Sequence, residues 1–449
     1  MTVTAWRARL GPVVRAGPRI TGRALGVAAL WGLLLCALSI VLAASAGRSP
    51  LVPASMRGPL PSWLSGPFAG AGEIMSRPVF SGFLVAMLAC YLVAVACAPA
   101  LEAAWVLACA AVLIGLFAAG PPLLSKDIFS YIAYARLGDL YHLNPYVFGP
   151  VAAAGDPTYR FVGHLWKTVP TVYGPAFTLP SYLVAPLGVG GALWALKAAA
   201  GASAAGIVGL VWWSARRLGR SPATAAALVG LNPVLLVYAV GGGHNDLEAM
   251  LVAAAGIVLI VAGRQAFGGG ALAIAAAVKL TGGLALPFAL AGGDRRRRLL
   301  AGALAAGAAL AGVGFAVLGT HVLHIVGAMR ADQGLKGRSS IADYLLPHLE
   351  LGSPTPELVH LATIGVAVVA AAGLVLAWRG RDWIAAAGWT TLAVLLAAQW
   401  LLPWYLVWLL PFAALSRDRA LRIATVAFTA LIVAMYTTYW LLPHGPWVH

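Results

Sequence analysis

Charge is what this chain has least of. Of its 449 residues, 10% are charged, where soluble domains run near a quarter. Hydrophobic residues make up 61%, and mean hydropathy is +0.87. No soluble core of this length needs that much apolar surface, so a soluble globular protein is excluded. The alternation of polar and apolar residues that marks a transmembrane β-strand is missing too, which argues against an outer-membrane type of barrel. Cysteine is scarce: Cys36, Cys90, Cys97 and Cys109 all lie in apolar runs. They form no C-x-x-C pair, so neither a zinc site nor a disulfide framework is indicated.

What is present is a series of apolar stretches of about twenty residues, the length one helix needs to cross about 30 Å of hydrocarbon. Spans are expected near 24–46, 79–98, 101–120, 191–214, 222–240, 247–263, 299–318, 357–378, 383–400, 404–416 and 421–441. The fold class is therefore all-α, a polytopic transmembrane helix bundle of about 11 spans. The basic run Arg7–Arg23 before an apolar segment resembles a signal peptide, with Ala44-Ser45-Ala46 as a cleavage site. The apolar run from Ala24 to Ala46 is longer than a signal core of about 7–15 residues, so it reads as a retained first span.

The net charge of +16 suggests nucleic acid until the charges are sorted by loop. One set of loops holds 18 cations, among them Arg7, Arg9, Arg15, Arg216, Arg217, Arg264, Arg295–Arg298 and Arg417, against Glu102, Asp294, Asp382 and Asp418. The other set balances 10 cations with 10 acids. That is a positive-inside signature. It implies a plasma membrane protein with a cytoplasmic N-terminus, an external C-terminus and no nucleic-acid partner. The long polar stretches 47–78, 121–173 and 319–356 then lie outside, where function is expected.

Two segments break the pattern. Residues 174–190 are apolar but short and contain Pro175, Pro180 and Pro186, so they read as an interfacial or re-entrant piece. Residues 268–290 lie between Arg264 and Arg295–Arg298, both expected inside. Some twenty residues cannot cross twice, so a broken hairpin is expected, with Lys279 and Thr281-Gly282-Gly283 at its apex. Irregular backbone at that depth requires protein or a wet cavity around it.

Several clusters carry chemistry. Asp127 follows the third expected span, with Tyr131 and Tyr134 at helical spacing and Asn144-Pro145-Tyr146 ending the helix. The bland reading makes Asp127 a helix cap or a surface salt-bridge partner of Lys126, and the tyrosines belt residues. Tyr173-Gly174-Pro175 is a sharp turn, which by itself is a plain loop. The stretch Gly241–Met250 places His244, Asn245 and Asp246 where the chain turns back, suited to a hydroxyl-rich ligand or simply to capping the next helix. One His and one Asp are too few for a metal, and no metal or cofactor is expected. In the loop 319–356, Arg330, Lys336 and Arg338 are natural phosphate partners, although such residues are more often solvated. Lys279 is the sharpest residue, because a lone ammonium in the bilayer costs about 2.5–3.5 kcal/mol on insertion scales unless it is paired or snorkels. Lys197 lies nearer a span end, where snorkelling is expected. Trp400, Trp404 and Trp408 share a face if their helix continues through Pro403; with Tyr405 they make an aromatic belt or a groove for an isoprenoid chain.

The ordered set SKDIFSY, LNPYVFGP, TVYGPAF, NPVLLVYAVGGGHNDLEAM, AAAVKLTGGLALPF and QWLLPWYLVWLLP resembles the polyprenol-phosphomannose-dependent α-1,6-mannosyltransferases of actinobacteria, within the GT-C superfamily of multi-span glycosyltransferases. The resemblance runs from about residue 100 to 415. It implies a leading part, 1–100, with two spans, and a GT-C-like core, 101–449, with external loops 121–190 and 319–356. It further implies a polyprenyl-phosphate sugar donor held in membrane lipid, a cell-envelope glycan or lipoglycan acceptor, and inverting chemistry on the external face. In that reading Asp127 is the base, and Lys279, Arg338, Lys336 and Arg330 hold the donor phosphate. Tyr131, Asn144, Tyr146, Tyr173, His244, Asn245 and Asp246 contact sugar or acceptor. Two rivals stay open: the same fold with another lipid-linked sugar, such as arabinofuranose or glucose, and a lipid-linked sugar flippase or transporter.

Overall fold

The computed structural model describes residues 17–46, 48–53, 61–325, 327–328 and 339–441. Part of the expected charge pattern (Arg7, Arg9 and Arg15), the tail 442–449, and Arg330, Lys336 and Arg338 lie outside these residues. The chain is an all-α polytopic membrane protein, with no β-strand among the described residues. In order, the α-helices of six residues or more among the described residues are α1 (Gly17–Ala44), α2 (Arg77–Cys97), α3 (Ala103–Ala119), α4 (Asp127–Asp139), α5 (Pro175–Ser181), α6 (Gly188–Arg217), α7 (Pro222–Gly230) and α8 (Asp246–Val261). There follow α9 (Gln265–Val278), α10 (Ala285–Gly292), α11 (Arg296–Leu318), α12 (Ile341–His348), α13 (Pro356–Trp378), α14 (Trp383–Ala397), α15 (Leu410–Leu415) and α16 (Arg419–Leu441).

Among the described residues, six helical stretches, built on α1, α2, α6, α11, α13 and α16, are long and apolar enough to cross a membrane. These helices close their backbone hydrogen bonds internally, which is what hydrocarbon demands. On α11 and α13 the side chains of Leu304, Val317, Leu361 and Val368 are exposed, an apolar surface that lipid covers in a spanning protein. Other expected spans are shorter: α8 has 16 residues and so rises about 24 Å.

Their breaks have physical causes. The expected span 222–240 is interrupted at Asn232-Pro233, because proline cannot supply the next N–H. The Asn232 side chain covers the gap: its Oδ1 accepts from the N–H groups of Val234 and Leu235 at 3.0 and 3.2 Å. Its amide donates to Tyr91 and Thr429, tying α7 to α2 and α16, and the Tyr91 hydroxyl donates to the Leu228 carbonyl. The chain resumes as one turn of π-helix, Leu235–Val240, which runs straight into Gly241-Gly242-Gly243. Gly243 has φ 70°, a conformation that glycine adopts without a steric penalty.

The broken hairpin takes the expected form. α9 ends at Val278, Lys279 is extended, a tight turn covers Leu280–Gly283, and α10 returns. Gly282 and Gly283 press on Ala275 and Ala276 of α9, while Gly269 near the start of α9 and Gly293 after α10 both meet Leu299 of α11. The apex is also tied to α5: the Gly174 N–H donates to the Val278 carbonyl at 3.1 Å, and a Cβ at Gly174 would overlap the Ala277 carbonyl. The 174–190 piece is thus α5 followed by a 3-10 turn, Tyr182–Leu187, that leads into α6. The tryptophan segment departs from expectation. α14 ends at Ala397, Trp400 forms an isolated bridge with Ser339, and Pro403–Trp408 is a 3-10 turn, so no single helix face carries Trp400, Trp404 and Trp408.

Candidate functional site

The site lies where the start of α4, the turn before α8, the hairpin apex and the Pro403–Trp408 turn converge. Asp127 is the first residue of α4, its N–H accepted by the Ser125 hydroxyl at 3.2 Å, and its side chain keeps 18% exposure. His244 is fully buried, with Nδ1 3.5 Å from Asp127 Oδ2. Burial, then the ammonium groups of Lys279 and Lys197, hold its imidazole well below the usual range. The ring stacks on Trp404 with centroids 3.6 Å apart and planes 17° apart.

Asp246 is saturated. Lys279 Nζ donates to Oδ1 and Oδ2 at 2.7 and 2.9 Å, and Trp408 Nε1 donates to Oδ1 at 2.7 Å. The pair explains how an ammonium in an apolar hairpin is tolerated: its charge is met by a fully buried carboxylate. Tyr405, Trp408 and Tyr173 present ring faces to the same ammonium at 5.2, 5.7 and 6.0 Å. An ammonium has three N–H groups. Two go to Asp246, and the side chain remains 19% exposed for a third partner. The Tyr131 hydroxyl donates to Asn245 Oδ1 at 3.4 Å, and its ring packs edge-on against Tyr173 and Phe177.

Buried polar atoms here lack hydrogen-bond partners among the described residues: both ring nitrogens of His244, Asn245 Nδ2, Glu248 Oε2 and, at the hairpin apex, Thr281 Oγ1. Such atoms are costly in a protein interior unless a ligand or water meets them. Sugar hydroxyls, which both donate and accept, fit them all, and phosphate oxygens fit the donors Asn245 Nδ2 and Thr281 Oγ1.

Of the residues singled out from the sequence, Asp127, Tyr131, Tyr173, His244, Asn245, Asp246, Lys279, Trp404, Tyr405 and Trp408 come together. Asn144 and Tyr146 do not face the cluster. The Asn144 amide donates to the Leu318 carbonyl at 2.8 Å, and the Tyr146 hydroxyl donates to the Tyr173 carbonyl at 2.8 Å, so both brace the loop. Trp404 and Trp408 are buried against His244 and Asp246 rather than lining a groove, and Trp400 stacks on Trp166. Lys197 does not snorkel: it is fully buried on α6 and donates to three backbone carbonyls. Glu248 was missed, although a single acid inside the expected span 247–263 is the same signal that marks Lys279.

Residues 24–292 match the family described as alpha-(1->6)-mannopyranosyltransferase, N-terminal domain, and residues 339–442 match the MptB C-terminal domain. The chain is 30% identical over 335 residues to alpha-(1->6)-mannopyranosyltransferase A of Mycobacterium tuberculosis, covering 68% of this chain and 64% of that protein. It is 29% identical over 178 residues to the Corynebacterium glutamicum protein of the same name, covering 38% and 35%. With alpha-(1->6)-mannopyranosyltransferase B of Corynebacterium glutamicum it shares 24% identity over 371 residues, 72% of this chain and 60% of that one. The chain thus spans less than two thirds of the length of these relatives. No solved structure matches.

Proposed function

This chain belongs to the alpha-(1->6)-mannopyranosyltransferase family, and from that premise we propose that it moves a mannosyl group from a polyprenyl-phosphate donor to a cell-envelope glycan or lipoglycan, as an inverting GT-C enzyme working on the external face. The observation that carries this reading is the convergence of Asp127, His244, Asn245 and the Asp246–Lys279 pair, with several buried polar atoms left for a ligand.

The chemistry follows from what each group offers. Asp127 takes the proton of the acceptor hydroxyl, whose oxygen forms the new bond to the anomeric carbon. The bond from that carbon to phosphate oxygen breaks, and the electron pair leaves with the lipid phosphate. Lys279 meets the departing phosphate with its third N–H while Asp246 holds it in place. Asn245 Nδ2 and His244 meet sugar hydroxyls. Arg330, Lys336 and Arg338 are further phosphate candidates on the 319–356 loop. The polyprenyl chain lies along the apolar helices.

The test is to supply proteoliposomes with labelled polyprenyl-phosphomannose and a mannan acceptor. Label in the acceptor through a new α-1,6 linkage is the expected result. Movement of the donor across the bilayer without transfer would make the protein a transporter. Transfer from polyprenyl-phosphate arabinofuranose or glucose but not mannose would keep the fold and overturn the sugar.

A further inference from the structure

Lys197 has no place in the chemistry above, yet its side chain is fully buried. Its Nζ donates to the carbonyls of Phe117 at 2.7 Å, Gly241 at 2.7 Å and Val240 at 3.2 Å. An ammonium has three N–H groups and no acceptor, so the set is complete. No carboxylate pairs with it among the described residues. The compensating charge is backbone: Phe117 lies in the last turn of α3, and Val240 and Gly241 close the π-helical turn. Those ends carry the negative pole of each helix, and the Val240 carbonyl also accepts the Gly243 N–H at 3.1 Å.

What these carbonyls belong to is the point. The Gly241 carbonyl also accepts the Leu123 N–H at 3.0 Å, and Leu123 lies in the middle of the short connector that leads to Asp127. Gly243 is wedged between Ile128 and the Lys197 stem; a Cβ there would lie 2.7 Å from Ile128 Cδ1 and 3.3 Å from Lys197 Cδ. One ammonium therefore fastens the end of α3, the connector into Asp127 and the turn that carries His244, Asn245 and Asp246.

We infer that Lys197 is a positioning residue, a buried strut that sets the distance between Asp127 and the His244–Asp246 turn without touching substrate. The inference rests on the transferase reading for its kinetic consequence, but not for its structural one. A bundle that needed only packing at this place would be served by leucine or methionine. The lysine unites three carbonyls that no apolar side chain satisfies.

The test uses full-length Lys197→Met and Lys197→Gln in nanodiscs. Hydrogen–deuterium exchange gives a readout independent of activity. Lys197→Met should raise exchange in the segments 117–128 and 239–246 and leave the long outer helices protected; no change, or a rise everywhere, would overturn the strut. In turnover, Lys197→Met should lower kcat by about tenfold to a hundredfold with little change in donor KM, the cost expected of displaced catalytic groups. Lys197→Gln, which keeps two N–H donors, should lie between. The double variant Lys197→Met/Asp127→Asn should be no slower than Asp127→Asn, because both act on one unit. Multiplying losses, or an unchanged kcat, would overturn the positioning role, as would failure of both single variants to fold. A wild-type protein that transfers no sugar would sink the transferase reading, while the exchange experiment would still decide whether Lys197 joins the two segments.

Discussion

The buried polar cluster around Asn232 and the one around Asp127 and Lys279 are finished to different degrees. At Asn232 the side chain oxygen accepts two backbone N–H groups, the amide meets Tyr91 and Thr429, and Tyr91 itself donates to Leu228. Every group there serves to close a proline break. In the other cluster Asp246 is saturated by Lys279 and Trp408, while His244, Asn245 and Glu248 keep unpartnered atoms beside it. A polar group in a membrane interior that is fully satisfied reads as structure, and one left partly satisfied reads as a place for a ligand.

The contrast can be broken by substitution. The largest effect is expected at Asp127. Asp127→Asn keeps the shape and removes the basicity, so sugar transfer should fall about 10²–10⁴-fold while donor binding persists; unchanged transfer in a steady-state assay would remove Asp127 from the mechanism. Next comes the ion pair. Lys279→Met leaves a fully buried carboxylate unpaired, which should cost about 3 kcal/mol of stability and weaken donor use. Lys279→Met/Asp246→Asn should regain most of the thermal stability but not the transfer. If it regains both, the pair is scaffold and not site.

Asn232→Ala should do the opposite: lower stability by about 1–3 kcal/mol and leave turnover per folded molecule unchanged. A specific loss of turnover would erase the distinction between the clusters. The smallest effect is at the loop clamp of Asp156, where burial alone would raise the carboxyl but the Thr158 N–H, Arg136 and Tyr141 together hold it below its usual range. A depressed carboxyl contributes stability above its unfolded value, near about pH 4, and loses it as pH falls through the lower folded value. Wild type should therefore lose thermal midpoint on acidification faster than Asp156→Asn. Parallel curves would show that the clamp does not titrate.

Some of this was legible in the sequence. The scarcity of charge marks the membrane class, and Lys279 with its following glycines marks the hairpin apex, because an ammonium in an apolar run needs a reason. The turn Gly241–Asp246 and the start at Asp127 announce themselves as polar residues beside apolar spans. Partners across the fold do not announce themselves. Asp246 meets Lys279, 33 residues away, and Trp408, 162 residues away, and no local spacing reports such pairings. Lys197 was misread because snorkelling and a cage of carbonyls both satisfy an ammonium, and only tertiary structure distinguishes them. Spacing by four would put the tryptophans on one face only of a continuous helix, whereas Pro403 turns the chain so that Trp404 reaches His244 and Trp408 reaches Asp246.

In the proposed transferase the donor head group sits in the unfinished cluster. The most direct measurement is a structure of the full-length protein in lipid with a non-hydrolysable polyprenyl-phosphomannose analogue bound. Phosphate oxygen should lie within hydrogen-bond distance of Lys279 Nζ, with the sugar against His244 and Asn245 and Asp127 open toward the anomeric carbon. A head group bound away from Lys279, with His244 and Asn245 still unpartnered, would contradict it.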